Sequence, residues 1–232
     1  MSKAARIADR RGLGGVRATV RMPWPWWLVV MLVVPALIVV AVPLVNHVVA
    51  PAIAWAAVAA VLLPYAFFLW VLLDRRMVVC DGGVIIGGFA PGAAPFVLPW
   101  SMIEPRGVTA VEDLSEFPRV CGESMGSTLF HTGSSRQGLV FDGPLAATVR
   151  QRPPLLGVSL DSGVPNTVRG GKLWTFAHGR SHEEIVGLWE AAMLSAGVPH
   201  ADQLRSCALP PRRLGAGEAI NGLVPRPQAP SR

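Results

Sequence analysis

The sequence predicts a membrane α-helical hairpin joined to a soluble α+β domain. Three observations predict it. Residues 22–73 form a 52-residue stretch without Asp, Glu, Lys or Arg. Short apolar runs separated by Gly, Asp and Pro follow over about 100 residues. A single amphipathic helix with capping signals then closes the apolar pattern near residues 181–197.

The charge-free stretch is long enough for two spans, because crossing roughly 30 Å of hydrocarbon takes about 20 apolar residues. Residues 26–45 make the first expected span and residues 53–73 the second, with turn residues Asn46, His47 and Pro51 between them. Pro35, Pro43 and Pro64 are compatible with spans, where neighbouring helices satisfy the carbonyls that proline frees. Lys3, Arg6, Arg10, Arg11, Arg17 and Arg21 precede the stretch, and Arg75 and Arg76 follow it. Basic residues mark the inner side, so the expected location is the inner (plasma) membrane, multi-pass, with both termini cytoplasmic. A cleaved signal peptide fits less well, since the apolar run is too long and a second follows at once.

Charge distribution excludes a nucleic-acid surface. Residues 1–73 hold six basic groups and one acidic, residues 74–197 ten and twelve, and residues 198–232 five and two. The expected folded part is thus slightly acidic and lacks a basic stripe. The basic residues 1–25 are expected as a cytoplasmic tail against anionic lipid headgroups. Cys80, Cys121 and Cys207 are odd in number and widely spaced, which predicts free thiols in a reducing compartment.

Residues 77–198 are expected to form one soluble domain, of a size that supports one core. Apolar runs on either side of Asp81-Gly82-Gly83 predict a hairpin. Further strands are expected at 96–98, 108–111, 127–130, 139–141, 146–150, 155–160 and 172–177. Ser181 and Glu184 make a capping box, Ile185, Leu188, Trp189, Ala192 and Ala196 share one face, and Gly197 stops the helix. Residues 199–232, rich in Pro and Arg, are expected to be a disordered tail.

The order of short strands followed by one late helix resembles a pleckstrin-homology-like (PH-like) domain. The Asp81-Gly82-Gly83-Val84 hairpin, the segment Phe96-Val97-Leu98-Pro99-Trp100-Ser101-Met102-Ile103 and the capped helix are similar to bacterial PH-like domains that follow paired spans in actinobacterial proteins. The resemblance implies a β-sandwich or barrel capped by one C-terminal helix, with Trp100, Ile103 and Trp189 at its core or its interaction surface. It covers about a third of the soluble domain. The first hairpin carries Asp81 and no basic residue, which argues against a phosphoinositide site there.

Possible chemistry is sparse. Gly122-Glu123-Ser124-Met125-Gly126 matches G-x-S-x-G, and Asp161 and His178 follow in hydrolase order. That motif needs a strand-turn-helix context, which the flanking residues do not supply. His178 and His182 stand four apart, but Ser181 caps the helix between them, so a metal site is not expected. No cofactor is expected either. Ala52, Ala56 and Ala60 lie on one face of the second apolar segment and suit close helix packing.

The function expected from these features is a non-enzymatic inner-membrane accessory or scaffold subunit. It would present its cytoplasmic PH-like domain to other integral membrane proteins of a transporter or envelope-synthesis complex. The alternative is a small membrane-bound serine hydrolase using Ser124, Asp161 and His178.

Overall fold

Alternation of apolar residues around tight turns builds most of the molecule. The computed structural model describes residues 2–24, 30–31, 33–37, 41, 51–90, 93–117, 128–131, 135–150 and 172–214. The chain opens with α1 (Lys3–Arg10) and β1 (Val16–Arg21), and the apolar stretch ends in α2 (Pro51–Leu73). Three strands follow: β2 (Arg75–Cys80), β3 (Gly83–Gly88) and β4 (Phe96–Pro99). Then come β5 (Val108–Glu112), β6 (Leu129–Phe130), β7 (Gln137–Gly143), the single-turn α3 (Ala146–Val149) and β8 (Lys172–Ala177). The last elements are α4 (His182–Ser195), α5 (Leu204–Ala208) and the short β9 (Arg212–Arg213).

Two sheets result, one ordered β1-β2-β3-β4 and the other β6-β8-β7-β5-β9. The first is antiparallel throughout, with Val79 opposite Val84 and Ile85 opposite Val97. Because strand side chains alternate in direction, Met77, Val79, Val84, Ile86, Phe96 and Leu98 enter the main core. Val78, Cys80, Ile85 and Val97 point the other way, where Ile7 and Ala8 of α1 and Leu13 cover them. Both faces of this sheet are therefore buried, which explains why β2 and β3 read as nearly continuous apolar runs.

The second sheet closes the main core from the other side. Leu139, Phe141, Trp174 and Phe176 project into it, and α4 adds Ile185, Val186, Trp189, Ala192 and Met193. α4 begins as its capping signal predicts: the Ser181 hydroxyl accepts from the Glu184 backbone N–H at 3.2 Å. The reciprocal arm of the box is absent from this geometry, because Glu184 instead accepts from Arg180 at 2.6 Å. Gly197, at φ +68°, ends the helix in the left-handed conformation that glycine adopts without strain.

The predicted hairpin at Asp81 forms, and its sharpness depends on Gly83. A Cβ there would lie 2.5 Å from the Leu98 carbonyl oxygen and 2.9 Å from Pro99 Cα. Both neighbours are backbone and cannot swing aside. Gly83→Ala is expected to destabilise the fold by about 1–3 kcal/mol, the usual cost of overpacking, seen as a lower urea midpoint at unchanged slope.

Several expectations are corrected. Among the described residues no helix is long and apolar enough to cross a membrane. In α2 the described side chains are 55–56, 58–67 and 70, with Pro64 inside the helix. Within the first expected span, helical residues are described only at 30–31, 33–37 and 41. Crossing takes about 20 consecutive apolar residues in one helix, and the described side chains of α2 run without interruption only over residues 58–67. The two-span hairpin, the multi-pass inner-membrane location and the cytoplasmic placement of both termini are overturned on this finding.

The expected PH-like barrel with one C-terminal helix gives way to an α+β architecture of two sheets of four and five strands. The reason is recruitment from outside residues 77–198. Residues 1–25, expected as a tail, supply α1 and the edge strand β1, and residues beyond 199 supply α5 and β9. Residues 146–150, expected as a strand, form the helical turn α3. There the Thr148 N–H and hydroxyl both donate to the Leu145 carbonyl, at 3.1 and 2.7 Å, a local alternative to the ladder. Only Arg150 keeps a bridge, to Phe96. The strand expected at 155–160 lies outside the described residues.

Candidate functional site

The apolar residues that the core does not use define the candidate site. On α2, Val58 is buried, Leu62 and Tyr65 are half-buried, and the three recur at helical spacing. That stripe faces the rest of the molecule. The Tyr65 hydroxyl donates to the Met31 carbonyl at 2.7 Å, so α2 lies beside the helical residues around position 31. Around the stripe the helix is exposed and apolar at Trp55, Ala56, Ala59, Ala60, Val61, Leu63, Phe67 and Trp70. Leu63 is 70% exposed and Met31 66%. An apolar patch of this extent, with no charge in it, marks an interaction surface.

Small side chains shape this surface. Ala56 and Ala60 are both exposed and four residues apart, a track of small side chains that suits close helix packing. The side chain of Ala52 lies outside the described residues. The large exposed members, Leu63, Phe67 and Trp70, were invisible in the sequence as a face. No position of α2 is charged, so no periodic signal separates inside from outside.

The base of this surface is tied to the first sheet. Met22 and Arg75 are joined by a backbone bond from the Met22 N–H to the Arg75 carbonyl at 3.2 Å, and Arg21 pairs with Arg76. Arg76 is neutralised by Asp74, and its guanidinium lies 5.9 Å from the Phe89 ring centre.

Trp100, Ile103 and Trp189 are all buried. The two indoles meet edge to face at 5.3 Å, and Trp189 also meets Phe141 at 5.1 Å. Trp100 Nε1 donates to the Asp81 carbonyl at 3.0 Å, which anchors the hairpin to the core. The Asp81 carboxylate accepts from Arg17 Nε at 2.6 Å and from the Gly15 N–H at 2.7 Å. The Arg17 bond first, and then the backbone bond, hold its carboxyl below the usual range. Arg17 also donates to the Ala191 carbonyl and to the Ser195 hydroxyl, at the C-terminal end of α4 where a cation is favoured.

His178 and His182 come together at the start of α4. Both are buried, 2% and 4% exposed, and their rings meet edge to face at 5.1 Å. His178 Nδ1 lies 2.9 Å from the Arg180 carbonyl oxygen, which makes Nδ1 the protonated nitrogen of the neutral ring. His178 Nε2 and both nitrogens of His182 have no hydrogen-bond partner among the described residues. Burial, reinforced by the neighbouring His182, pushes His178 down to about 4. His182 is lowered by burial too, against the opposing carboxylates of Glu112 and Glu183. Both rings are therefore neutral near pH 7.

No group of three or more His, Cys, Asp or Glu suited to a metal ion occurs among the described residues. Ser124 and Asp161 lie outside the described residues, as does Cys121. The structure thus places His178 against His182; of the alternative hydrolase triad it describes His178 alone. Cys80 is buried, and burial and then Asp81 push its thiol up to about 11, which keeps it protonated and unreactive. Comparison with family models, curated proteins and solved structures finds no match for this chain.

Proposed function

We propose that this protein is a non-enzymatic accessory or scaffold protein that docks an apolar helix of a partner protein onto the exposed face of α2. The observation that supports the reading is the set of exposed apolar residues Trp55, Leu63, Phe67 and Trp70, which helical spacing puts on one side of α2. Burying a side chain of that size stabilises a contact by about 1.5–3 kcal/mol. Three or four of them give a helix the means to bind without any charged contact.

The kind of occupant follows from the face itself. It has no charge to recognise a polar peptide, and residues 22–73 contain none. The track at Ala56 and Ala60 lets a second helix approach closely, whereas an extended strand gains nothing from four-residue spacing. The two sheets act as the support, holding the base of the apolar segment between β1 and β2.

A photo-crosslinking residue placed at Leu63 or Phe67 is expected to join the full chain to a helical segment of a different protein. The double substitution Leu63→Glu/Phe67→Glu is expected to weaken that association at least tenfold, since it buries charge in an apolar contact. Adducts exclusively with a second copy of the chain, or exclusively with lipid, would overturn the reading.

A further inference from the structure

Five arginines among the described residues are shown paired with a carboxylate. Arg17, Arg76, Arg180, Arg205 and Arg213 pair with Asp81, Asp74, Glu184, Glu190 and Asp113. Arg75 and Arg150 do not, among the described residues. Both are half-buried instead.

Their positions converge on one aromatic pair. Arg75 opens β2 two residues before Met77, so its side chain starts on the face of the sheet that looks into the main core. Its guanidinium carbon lies 6.0 Å from the Phe130 ring centre. Arg150 follows α3, bridges to Phe96 through the backbone, and stacks 5.5 Å from the Phe96 ring centre. The Phe96 and Phe130 rings are themselves 6.0 Å apart, edge to face. Two cations therefore flank one pair of rings.

Burial lowers the pKa of both guanidinium groups, and no carboxylate acts to raise either. The Nε of Arg150 is buried and has no hydrogen-bond partner among the described residues. Aromatic faces compensate a desolvated cation only in part, and a desolvated charge needs a counter-charge. A planar guanidinium matches phosphate oxygens two at a time. Two such forks suit a doubly charged group better than a single carboxylate.

The geometry points to an anion site between Arg75 and Arg150, floored by Phe96 and Phe130, for a ligand bearing a phosphate group. A soluble phosphate compound and the headgroup of an anionic lipid present the same chemistry. This site is separate from the apolar face of α2 and does not depend on it.

The test uses the full chain and two probes at matched ionic strength. Inorganic pyrophosphate is titrated calorimetrically, and vesicles of phosphatidylglycerol are compared with vesicles of phosphatidylcholine by sedimentation. Binding to pyrophosphate, or preference for phosphatidylglycerol, is expected to fall at least tenfold in Arg75→Gln/Arg150→Gln and to persist in the exposed control Arg106→Gln. Arg150→Gln alone, outside the strands, carries the test with a loss of at least threefold if the double variant does not fold. Pyrophosphate binding identifies a soluble ligand, and vesicle binding without it identifies a headgroup. Failure of both probes to bind, or equal binding by the arginine variants, would overturn the proposal.

Discussion

Trp189→Ala is expected to cost about 3–5 kcal/mol, the range for removing a fully buried aromatic side chain. Trp189 is completely buried and touches Trp100 at 5.3 Å and Phe141 at 5.1 Å. It joins α4 to a residue beside the first sheet and to a strand of the second. Its loss opens a cavity where three parts of the core meet, and neither sheet can move to fill it. Trp189 Nε1 is buried and has no hydrogen-bond partner among the described residues, so Trp189→Phe removes an unsatisfied donor together with some volume. The phenylalanine variant is therefore expected to lose much less than the alanine variant. Urea unfolding followed by circular dichroism measures both. Equal losses in the two variants would show that retained volume does not set the cost at this position.

Acid is expected to weaken the fold through His178 and His182, with a contribution of about 3 kcal/mol from His178 at full protonation. The folded pKa of His178, about 4, lies below its ordinary value of 6.5. The folded state thus binds fewer protons than the unfolded state between those values. Stability from this group is fully present above about pH 6.5, and it falls as pH drops through 6.5 toward 4. His182 shifts in the same direction, against the pull of Glu112 and Glu183. Carboxylates elsewhere also titrate at the lower end of this window, so the comparison must be made between variants. His178→Asn/His182→Leu is expected to flatten the decline in urea midpoint between pH 7 and pH 5. An unchanged slope there would assign acid sensitivity to other groups.

How much of this was legible depended on whether local chemistry and tertiary context agreed. The Asp81 hairpin and α4 were legible because turn residues and a capping box mark them within a few positions. β1 was not: in Val16–Arg21 only Val20 is buried, and the two arginines read as a basic tail. β6 and β9 are two residues each, too short to carry a period. Charge depletion over residues 22–73 was read as two spans, although it constrains composition and says nothing of helix continuity. The spacing of His178 and His182 was visible, but their burial and contact depend on β8 and α4 meeting. Arg75 was read as a stop to a span, and nothing local in the sequence connects it with Arg150.

The pairing of Arg21 with Arg76 has a consequence for how the chain can be divided. Residues 22–74 leave one strand and return to the strand beside it, so their two ends are neighbours across a single antiparallel ladder. A segment with adjoining ends behaves as a graft: a two-residue hairpin turn could replace it without altering the register of β1 and β2. The two-sheet unit and the apolar segment are separable in principle, each able to change while the other keeps its structure. Docking by the apolar segment and anion binding by Arg75 and Arg150 can then be assigned to different halves of the molecule by excision alone.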